Sequence, residues 1–324
     1  MNSFLDIPGL QVGHYTDSRR PTGCTVVLCE QGACAAISVR GYATGTRETQ
    51  LLDPLHTVDQ VHAVLLTGGS TFGLDACTGV MRYLEERNVG FPVGTIRIPI
   101  VPAAVLFDLF LGDNRIRPDF QAGYQACLAA SSESLAEGNV GAGTGALVGK
   151  LLGMDGAMKG GVGHYSLQSG NLIVGAVVAV NALGDIFDPH TGNWLAGARK
   201  PGQHEPAGAW QELLSRPLEI QPGFGQNTTI GCIATNALLD KRALTQIAHM
   251  SHNGLARAIR PVHTTVDGDT IFALSTGRMP VPGWAITAIG SMAAEALAQA
   301  VVRAILAAQS IPGYPAAGDM PGPF

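Results

Sequence analysis

Charged side chains are scarce in this chain, and that scarcity limits what it can bind. Asp, Glu, Lys and Arg make up 14% of its 324 residues, the formal net charge is −5, and no run of Lys or Arg occurs. A nucleic-acid-binding surface needs clustered basic side chains, so nucleic acid is excluded as an expected partner. The 46% of hydrophobic residues is typical of an extensive core, and the low content of charged residues indicates surface that is hidden in an oligomer. We therefore expect a homo-oligomer.

The chain also lacks paired metal-binding or disulfide motifs. Its cysteines form no CxxC pair and have no companion histidine at zinc-finger spacing; they are Cys24, Cys29, Cys34, Cys77, Cys127 and Cys232. They are predicted to be buried, reduced thiols. We expect no metal and no cofactor.

No long, uninterrupted hydrophobic run is present either. The most apolar segment, residues 284–309, is interrupted by Glu295, Gln299 and Arg303, which predicts a buried Ala-rich helix and not a membrane span. The first residues lack the basic start and the apolar core of a secretory signal. We therefore expect a cytoplasmic protein without a membrane partner.

What the chain does contain is a junction between a Pro/Gly-rich segment, residues 221–226, and a strand-like run at 228–235. Asn227 and Thr228 stand at this junction. One interpretation is a turn before an ordinary strand, because Asn, Gly and Pro favour turns and Thr favours strands. The other is a self-cleavage site. If the Asn227–Thr228 bond broke, Thr228 would gain an α-amine that titrates near pH ~8 and could accept the proton of its own hydroxyl.

Motifs along nearly the whole chain favour the second interpretation by resemblance. They are IPGLQVGH at 7–14, TGCTVV at 22–27, RGYATGTRET at 40–49, GGSTFGLD at 68–75, GAGTGALVGK at 141–150, GQNTT at 225–229 and HTTVDGDT at 263–270. In this order they resemble the L-aminopeptidase/D-esterase family of self-processing N-terminal-nucleophile hydrolases. The last two most resemble its nylon-oligomer (6-aminohexanoate oligomer) hydrolase branch, in which the nucleophile is Thr. The resemblance implies an α+β fold, a four-layer αββα sandwich of the Ntn-hydrolase type.

The same resemblance implies how the chain is cut and assembled. Residues 1–324 would form a single domain that is cut into a large chain, 1–227, and a small chain, 228–324. The processed heterodimers would form a tetramer. Over residues 189–226 the composition shifts to Pro, Gly, His and charge, which predicts an exposed connection whose new end moves aside after cleavage.

The resemblance gives roles to polar residues whose patterns alone leave alternatives open. Lys150 would lie near Thr228 and keep its amine neutral or polarise the site, and the alternative is a solvated loop lysine. Asn181 would bind the oxyanion of the attacked carbonyl, or it only caps a turn. Asp267 and Asp269 would hold the hydroxyl and the ammonium of Thr228, with metal ligation and a hairpin turn as alternatives.

Other patterns need separate interpretation. Phe72 is a predicted substrate-binding residue, but it stands where the family commonly has Tyr, so a hydroxyl that could orient substrate is missing. His249 and His252 are predicted on a helix surface and His263 in a turn, and not as general bases. The glycine-rich segment 141–150 fits neither a Walker loop nor a dinucleotide fingerprint, because Thr and Leu stand where a Walker loop needs Gly and Ser or Thr.

Hydrophobic periodicity predicts alternating strands and helices. Strands are expected at 24–29, 33–39, 61–66, 160–166, 172–180, 228–235 and 270–275. Helices are expected at 71–86, 120–136, 207–214, 240–259 and 284–308. This alternation is too loose for a doubly wound parallel sheet and favours layered sheets covered by helices.

We therefore predict a self-processing Thr-nucleophile amidohydrolase or aminopeptidase. It would cleave amide or ester bonds of small aminoacyl, peptide or ω-amino-acid oligomer substrates through an acyl-enzyme. Two alternatives stay open. One is an acyltransferase that resembles the ornithine acetyltransferases and passes the acyl group to an amine. The other is a non-catalytic homologue that binds a small molecule.

Overall fold

A computed structural model of the chain describes residues 2–200, 203–221 and 227–320. Its strands are β1 (Gln11–Thr16), β2 (Gly23–Gly41), β3 (Thr46–Arg47), β4 (Gln60–Thr67), β5 (Phe91–Val93), β6 (Ile96–Ile98), β7 (Ala103–Val105), β8 (Leu147–Val148), β9 (Met158–Lys159), β10 (Gly161–Ser169), β11 (Leu172–Asn181), β12 (Asp185–Phe187), β13 (Trp194–Ala196), β14 (Thr228–Leu238), β15 (Ile259–Arg260) and β16 (Gly268–Pro280). Its helices are α1 (Ala76–Glu86), α2 (Phe120–Leu128), α3 (Ala209–Ser215), α4 (Lys241–Ala258) and α5 (Ile286–Leu306).

The large strands form two stacked layers that share one long strand, β2. One layer has the order β10-β11-β14-β16, and its β16 pairs with the second half of β2. The other layer contains β1, the first half of β2, β4, β7 and β3. The β14–β16 and β4–β7 pairs are parallel, and the other pairs within the two layers are antiparallel. The chain therefore moves from one sheet to the other within β2.

Alternating side chains along each strand separate the cores between the layers. On β11, Val178 points toward α4 and α5, whereas its neighbour Val177 points into the core between the two sheets. On β4, Val64 joins that central core, whereas Leu65 packs with α1 and α2. Successive strand residues face opposite sides of a sheet, so these strands are apolar on both faces. The result is a helix–sheet–sheet–helix arrangement, and the predicted α+β αββα sandwich is confirmed.

Helix α2 is shorter than predicted, because it ends at Leu128 and not near residue 136. The residues that follow pair with β1 instead, since Ser131 and Val12 exchange two backbone hydrogen bonds of 3.0 Å. A tertiary contact here overrides the local preference for helix.

The 189–226 segment is exposed only in part, because residues 194–199 are largely buried, and for these residues the prediction of an exposed connection is wrong. Trp194 and Ala196 of β13 are buried, and β13 pairs with β12. Residues 210–221 are largely exposed. Apolar side chains between the polar ones explain the burial of the first part, because they join the core under α5. Residues 201–202 and 222–226 lie outside the described residues.

Helix α5 and the cysteines belong to the interior. By length and composition one described helix, Gly283–Leu306, is apolar enough to cross a membrane, but 56% of its most apolar window is buried in the protein. It packs on β10, β11 and α4 as the predicted Ala-rich core helix.

All six cysteines are free, and five of them are buried, which confirms that they are unpaired.

Candidate active site

Three strands that are far apart in sequence bring their polar ends to one place. Asn181 is the last residue of β11 and lies directly opposite Thr228, the first residue of β14. Asp269 lies near the beginning of β16, which runs parallel to β14. One residue before β14, Asn227 forms a parallel bridge with Asp267. The sheet therefore assembles the predicted nucleophile, the predicted oxyanion residue and both carboxylates.

The peptide bond between Asn227 and Thr228 is buried and closely held. Asn227 is 1% exposed and Thr228 is 4% exposed. The carbonyl oxygen of Asn227 accepts a hydrogen bond from the backbone N–H of Gly268 (3.1 Å) and one from the hydroxyl of Thr228 (2.5 Å). A Cβ at Gly268 would lie 2.3 Å from the carbonyl oxygen of Ala43, so only glycine fits there. The carbonyl is thus polarised by a fixed donor and lies beside the hydroxyl of the next residue.

Lys150 and Asn181 form a single hydrogen-bonded unit. The Nζ of Lys150 donates to the backbone carbonyl of Asn181 (2.9 Å) and to its Oδ1 (3.0 Å). The same Oδ1 accepts from the backbone N–H of Leu147 (3.0 Å), and Nδ2 donates to the carbonyl of Phe107 (3.2 Å). These contacts fix which end of the carboxamide carries the N–H donors. Lys150 is buried, so it is not a solvated loop lysine.

Two side chains at this site, Lys150 and Asp267, change their charge close to neutral pH. Burial lowers the pKa of Lys150 to about 7, although the nearby Asp267 and Asp269 carboxylates act in the opposite direction. Burial, together with the repulsion from Asp269, raises the pKa of Asp267 to about 6. A buried amine and a buried carboxyl group can therefore both exchange protons under physiological conditions.

The two carboxylates hold the surrounding backbone. Asp267 Oδ2 accepts from the N–H of Thr264 (2.7 Å). Asp269 Oδ1 accepts from the N–H of Thr229, the residue after the predicted nucleophile (2.7 Å). Asp269 Oδ2 accepts from the Nδ1 of His263 (2.8 Å). Asp269 thus connects β14 to the segment that precedes β16.

One of the three histidines, His252, lies elsewhere than predicted. His252 was predicted on a helix surface, yet it is buried, and its ring packs edge-on against that of His263 with centroids 4.7 Å apart. His263 does occupy a turn, but its ring also contacts Asp269. His249 is exposed on α4, as predicted. Helical periodicity alone did not show that α4 turns its His252 face toward β2, where Nε2 contacts the carbonyl of Ser38 (3.2 Å).

Phe72 is not part of this polar cluster. It lies in the 3₁₀ turn Ser70–Asp75, its residue is 59% exposed, and the guanidinium of Arg117 covers its ring at 3.8 Å. Its predicted contact with substrate stays a prediction.

The glycine-rich segment 141–150 acts as a support for Lys150. It contains a 3₁₀ turn, Gly141–Gly143, and the short strand β8, and Leu147 within it contacts Asn181. Gly149 has φ +72°, and a Cβ there would lie 2.0 Å from the carbonyl carbon of Gly197. A bulkier residue would therefore displace Lys150.

An apolar pocket borders this cluster on the Lys150 side. It is small, and its apolar lining, Phe107, Phe110, Leu111, Leu147 and Met154, is joined by Gly145 and by the polar Asp108, Lys150 and Asn181. Within residues 2–200, 203–221 and 227–320, no group of three or more His, Cys, Asp and Glu side chains could hold a metal ion. The site as described offers acid–base and oxyanion chemistry from protein groups.

Comparison with known proteins identifies the family. A profile of peptidase family S58 matches residues 2–317. The chain belongs to peptidase family S58. An uncharacterised aminopeptidase of Mycobacterium bovis is 44% identical to this S58 protein over 355 aligned positions, which cover 100% of the chain and 99% of the relative. A 6-aminohexanoate-oligomer endohydrolase of Kocuria sp. is 32% identical over 315 positions, which cover 93% of the chain and 85% of the relative.

Solved structures confirm the S58 fold. The L-aminopeptidase D-Ala-esterase/amidase of Ochrobactrum anthropi, described as a variant of the Ntn-hydrolase fold, superposes with a TM-score of 0.70 at 19% identity, covering 97% of this chain and 89% of the other. A β-aminopeptidase of Burkholderia sp. gives a TM-score of 0.69 at 21% identity, with 96% and 88% covered. The family resemblance in the sequence is thus confirmed. The protein is a hydrolase of peptide or linear amide bonds.

The sequence did not indicate several groups that complete this site. The backbone N–H groups of Gly268 and Leu147 and the carbonyl of Phe107 have no side-chain signature. His263 lies in the HTTVDGDT motif, so its closeness to Asp269 could have been suspected from the spacing of six residues.

Proposed function

We propose that this S58 protein cuts its own chain between Asn227 and Thr228 and then uses Thr228 as the nucleophile of an aminopeptidase or amidase. One observation carries the proposal: the Asn227 carbonyl oxygen lies between the Thr228 hydroxyl and a fixed N–H donor, that of Gly268. The hydroxyl thus lies beside the carbonyl group whose carbon it would attack, and the N–H donor is in place to stabilise the oxyanion that forms.

In the first reaction, Thr228 Oγ forms a bond to the carbonyl carbon of Asn227. The oxygen of that carbonyl becomes an oxyanion within reach of the Gly268 N–H. The C–N bond then breaks, the nitrogen takes up a proton, and an ester replaces the amide. Water hydrolyses the ester and leaves a carboxylate on Asn227 and a free hydroxyl and amine on Thr228.

The uncut chain has no α-amine at Thr228, so another group must accept the hydroxyl proton. Lys150 and Asp267 are buried beside the site, with pKa values of about 7 and about 6. Groups with a pKa near the working pH are the most effective proton acceptors and donors. We assign proton transfer during self-cleavage to this pair.

In turnover, the new amine of Thr228 accepts the hydroxyl proton as the hydroxyl attacks a substrate carbonyl. The Nδ2 of Asn181 donates to the oxyanion, because its Oδ1 is held by Lys150 and Leu147. The neighbouring Lys150 charge favours the neutral amine. Hydrolysis of the acyl-enzyme by water completes the cycle.

The substrates are amide or ester bonds of small aminoacyl compounds, peptides or linear ω-amino-acid oligomers. Support comes from the relative named as a 6-aminohexanoate-oligomer endohydrolase. Thr228 is buried before cleavage, so substrate reaches it only after the end of the large chain has moved away.

Intact mass under denaturing conditions tests the proposal. The wild type should yield two chains, 1–227 and 228–324, whereas Thr228→Ala should stay whole and inactive. Thr229→Ala is the matched control, because Thr229 contributes its backbone N–H and not its hydroxyl to the contact with Asp269. It should be cut like the wild type. An uncut wild-type chain that hydrolyses amides would contradict the proposal.

Substrate class is tested with aminoacyl p-nitroanilides and 6-aminohexanoate oligomers, each with and without an amine acceptor. Hydrolysis that is independent of the acceptor is expected. Acetyl transfer from acetyl-ornithine to glutamate would instead identify an acyltransferase.

A further inference from the structure

We infer that His263 is a positioning residue that holds the Asp269 carboxylate against the backbone of Thr229, beside the nucleophile. The inference rests on the proposed function of Thr228. Asp269 Oδ2 accepts two hydrogen bonds from His263, one from its Nδ1 (2.8 Å) and one from its backbone N–H (3.3 Å). The other oxygen, Oδ1, accepts from the N–H of Thr229 (2.7 Å). His263 and Thr229 thus hold the carboxylate from opposite oxygens.

The backbone of His263 adopts a conformation that suits this contact. Its φ is +57°, in the left-handed region that non-glycine residues rarely occupy. This conformation lets the N–H and the ring of one residue reach the same carboxylate oxygen. Residues held in sparsely populated conformations concentrate at functional sites. The turn at His263 therefore directs two hydrogen-bond donors at Asp269.

The ring of His252 packs against the ring of His263. The two rings meet edge-on at 74°, and His252 Nε2 lies 3.2 Å from the carbonyl of Ser38 on β2. Burial, reinforced by the nearby His263, lowers the pKa of His252 to about 3. His252 is therefore an uncharged packing surface at neutral pH, and it fixes the orientation of His263 without adding charge.

His263 acts through Asp269 and not on the reacting atoms. Its Nδ1 is engaged by the carboxylate, and the carboxylate reaches Thr229, the neighbour of the nucleophile. Loss of the ring should therefore let β14 begin in a less defined position. We expect slower chemistry at Thr228 with little change in substrate binding, since the ring of His263 is engaged by Asp269 and His252.

The test compares His263→Asn with His263→Gly. Both residues tolerate a left-handed backbone, but only Asn keeps a side-chain donor. We expect His263→Gly to reduce the rate of self-cleavage and kcat by roughly ten- to hundred-fold, the effect of losing one hydrogen bond to a charged group. KM should change little, and His263→Asn should recover most of the rate. His249→Leu, on the exposed face of α4, is the control and should match the wild type.

A comparison of Asp269→Asn with the double variant Asp269→Asn, His263→Gly shows whether His263 acts by positioning Asp269 or only by supporting the structure in general. If His263 works through Asp269, the double variant should be no slower than Asp269→Asn alone. The inference would be overturned if the rate losses of His263→Gly and Asp269→Asn multiplied in the double variant. It would also be overturned if His263→Gly kept the wild-type rate, or if His263→Asn were as slow as His263→Gly. None of these results decides whether the wild type is cut at Asn227–Thr228, whereas an uncut, active wild type would refute the proposed function itself.

Discussion

Two buried lysines, one at the end of the glycine-rich segment 141–150 and one shortly after it, differ in their hydrogen-bond partners. Burial lowers the pKa of both Lys150 and Lys159 to about 7. Lys159 donates to the backbone carbonyls of Gly143, Ala146 and Gly160 at 2.8–2.9 Å. Lys150 instead contacts Asn181, which lies opposite Thr228. A shifted pKa therefore does not by itself mark a catalytic lysine, and the partners of the amine decide its role.

The largest expected effect is on the rate of self-cleavage, which should depend on Lys150 and not on Lys159. Lys150→Met removes the partner of Asn181 Oδ1 and one of the two groups assigned to proton transfer, so self-cleavage should slow by about 100- to 1,000-fold, as for the loss of a general acid–base group. Lys159→Met is the matched control and should be cut within a few-fold of the wild-type rate. Mass spectrometry of freshly purified precursor over time measures both rates. Equal slowing in the two variants would remove the distinction drawn between them.

A second effect concerns stability, and it is expected at Lys159 and not at Lys150. Lys159→Ala should lower the free energy of unfolding by about 3 kcal/mol at pH 8.5, where the wild-type amine is neutral and has two N–H groups, because a cavity forms and two of the carbonyls lose a donor. Urea unfolding in an uncut Thr228→Ala background measures this change. An unchanged midpoint and slope would show that the carbonyls find other donors.

The smallest effect is a pH dependence that both lysines share. The folded state releases their protons near pH 7, whereas the unfolded state keeps them to about pH 10.4. The unfolded state therefore binds more protons above pH 7, and the free energy of unfolding should rise with pH. Between pH 7 and 8.5, each lysine should contribute about 1 kcal/mol per pH unit. In the same Thr228→Ala background, either Lys→Met change should remove about half of this rise, and a slope that neither changes would contradict the assigned burial effect.

Much of the architecture could be predicted from local patterns. The apolar run at 172–180 predicted β11, and the strand-like run after Asn227 predicted β14, because strands buried on both faces are continuously apolar. Helix α2 could not be bounded in this way, because Ser131 pairs with Val12 of a distant strand. The burial of Trp194 was likewise missed, since a segment rich in polar residues can still contribute one strand to a sheet.

The sequence by itself determined the polar residues of the site and the junction at Thr228, because motif spacing and residue chemistry are local properties. Tertiary structure alone decided their neighbours. The pairing of β11, β14 and β16 sets Asn181 and Asp269 beside Thr228, and it directs the N–H of Gly268 at the carbonyl of Asn227. Burial, which no single residue specifies, then brings the pKa of Lys150 to neutrality. Strand register and desolvation are collective properties of the folded chain, and so the reactivity of the site is too.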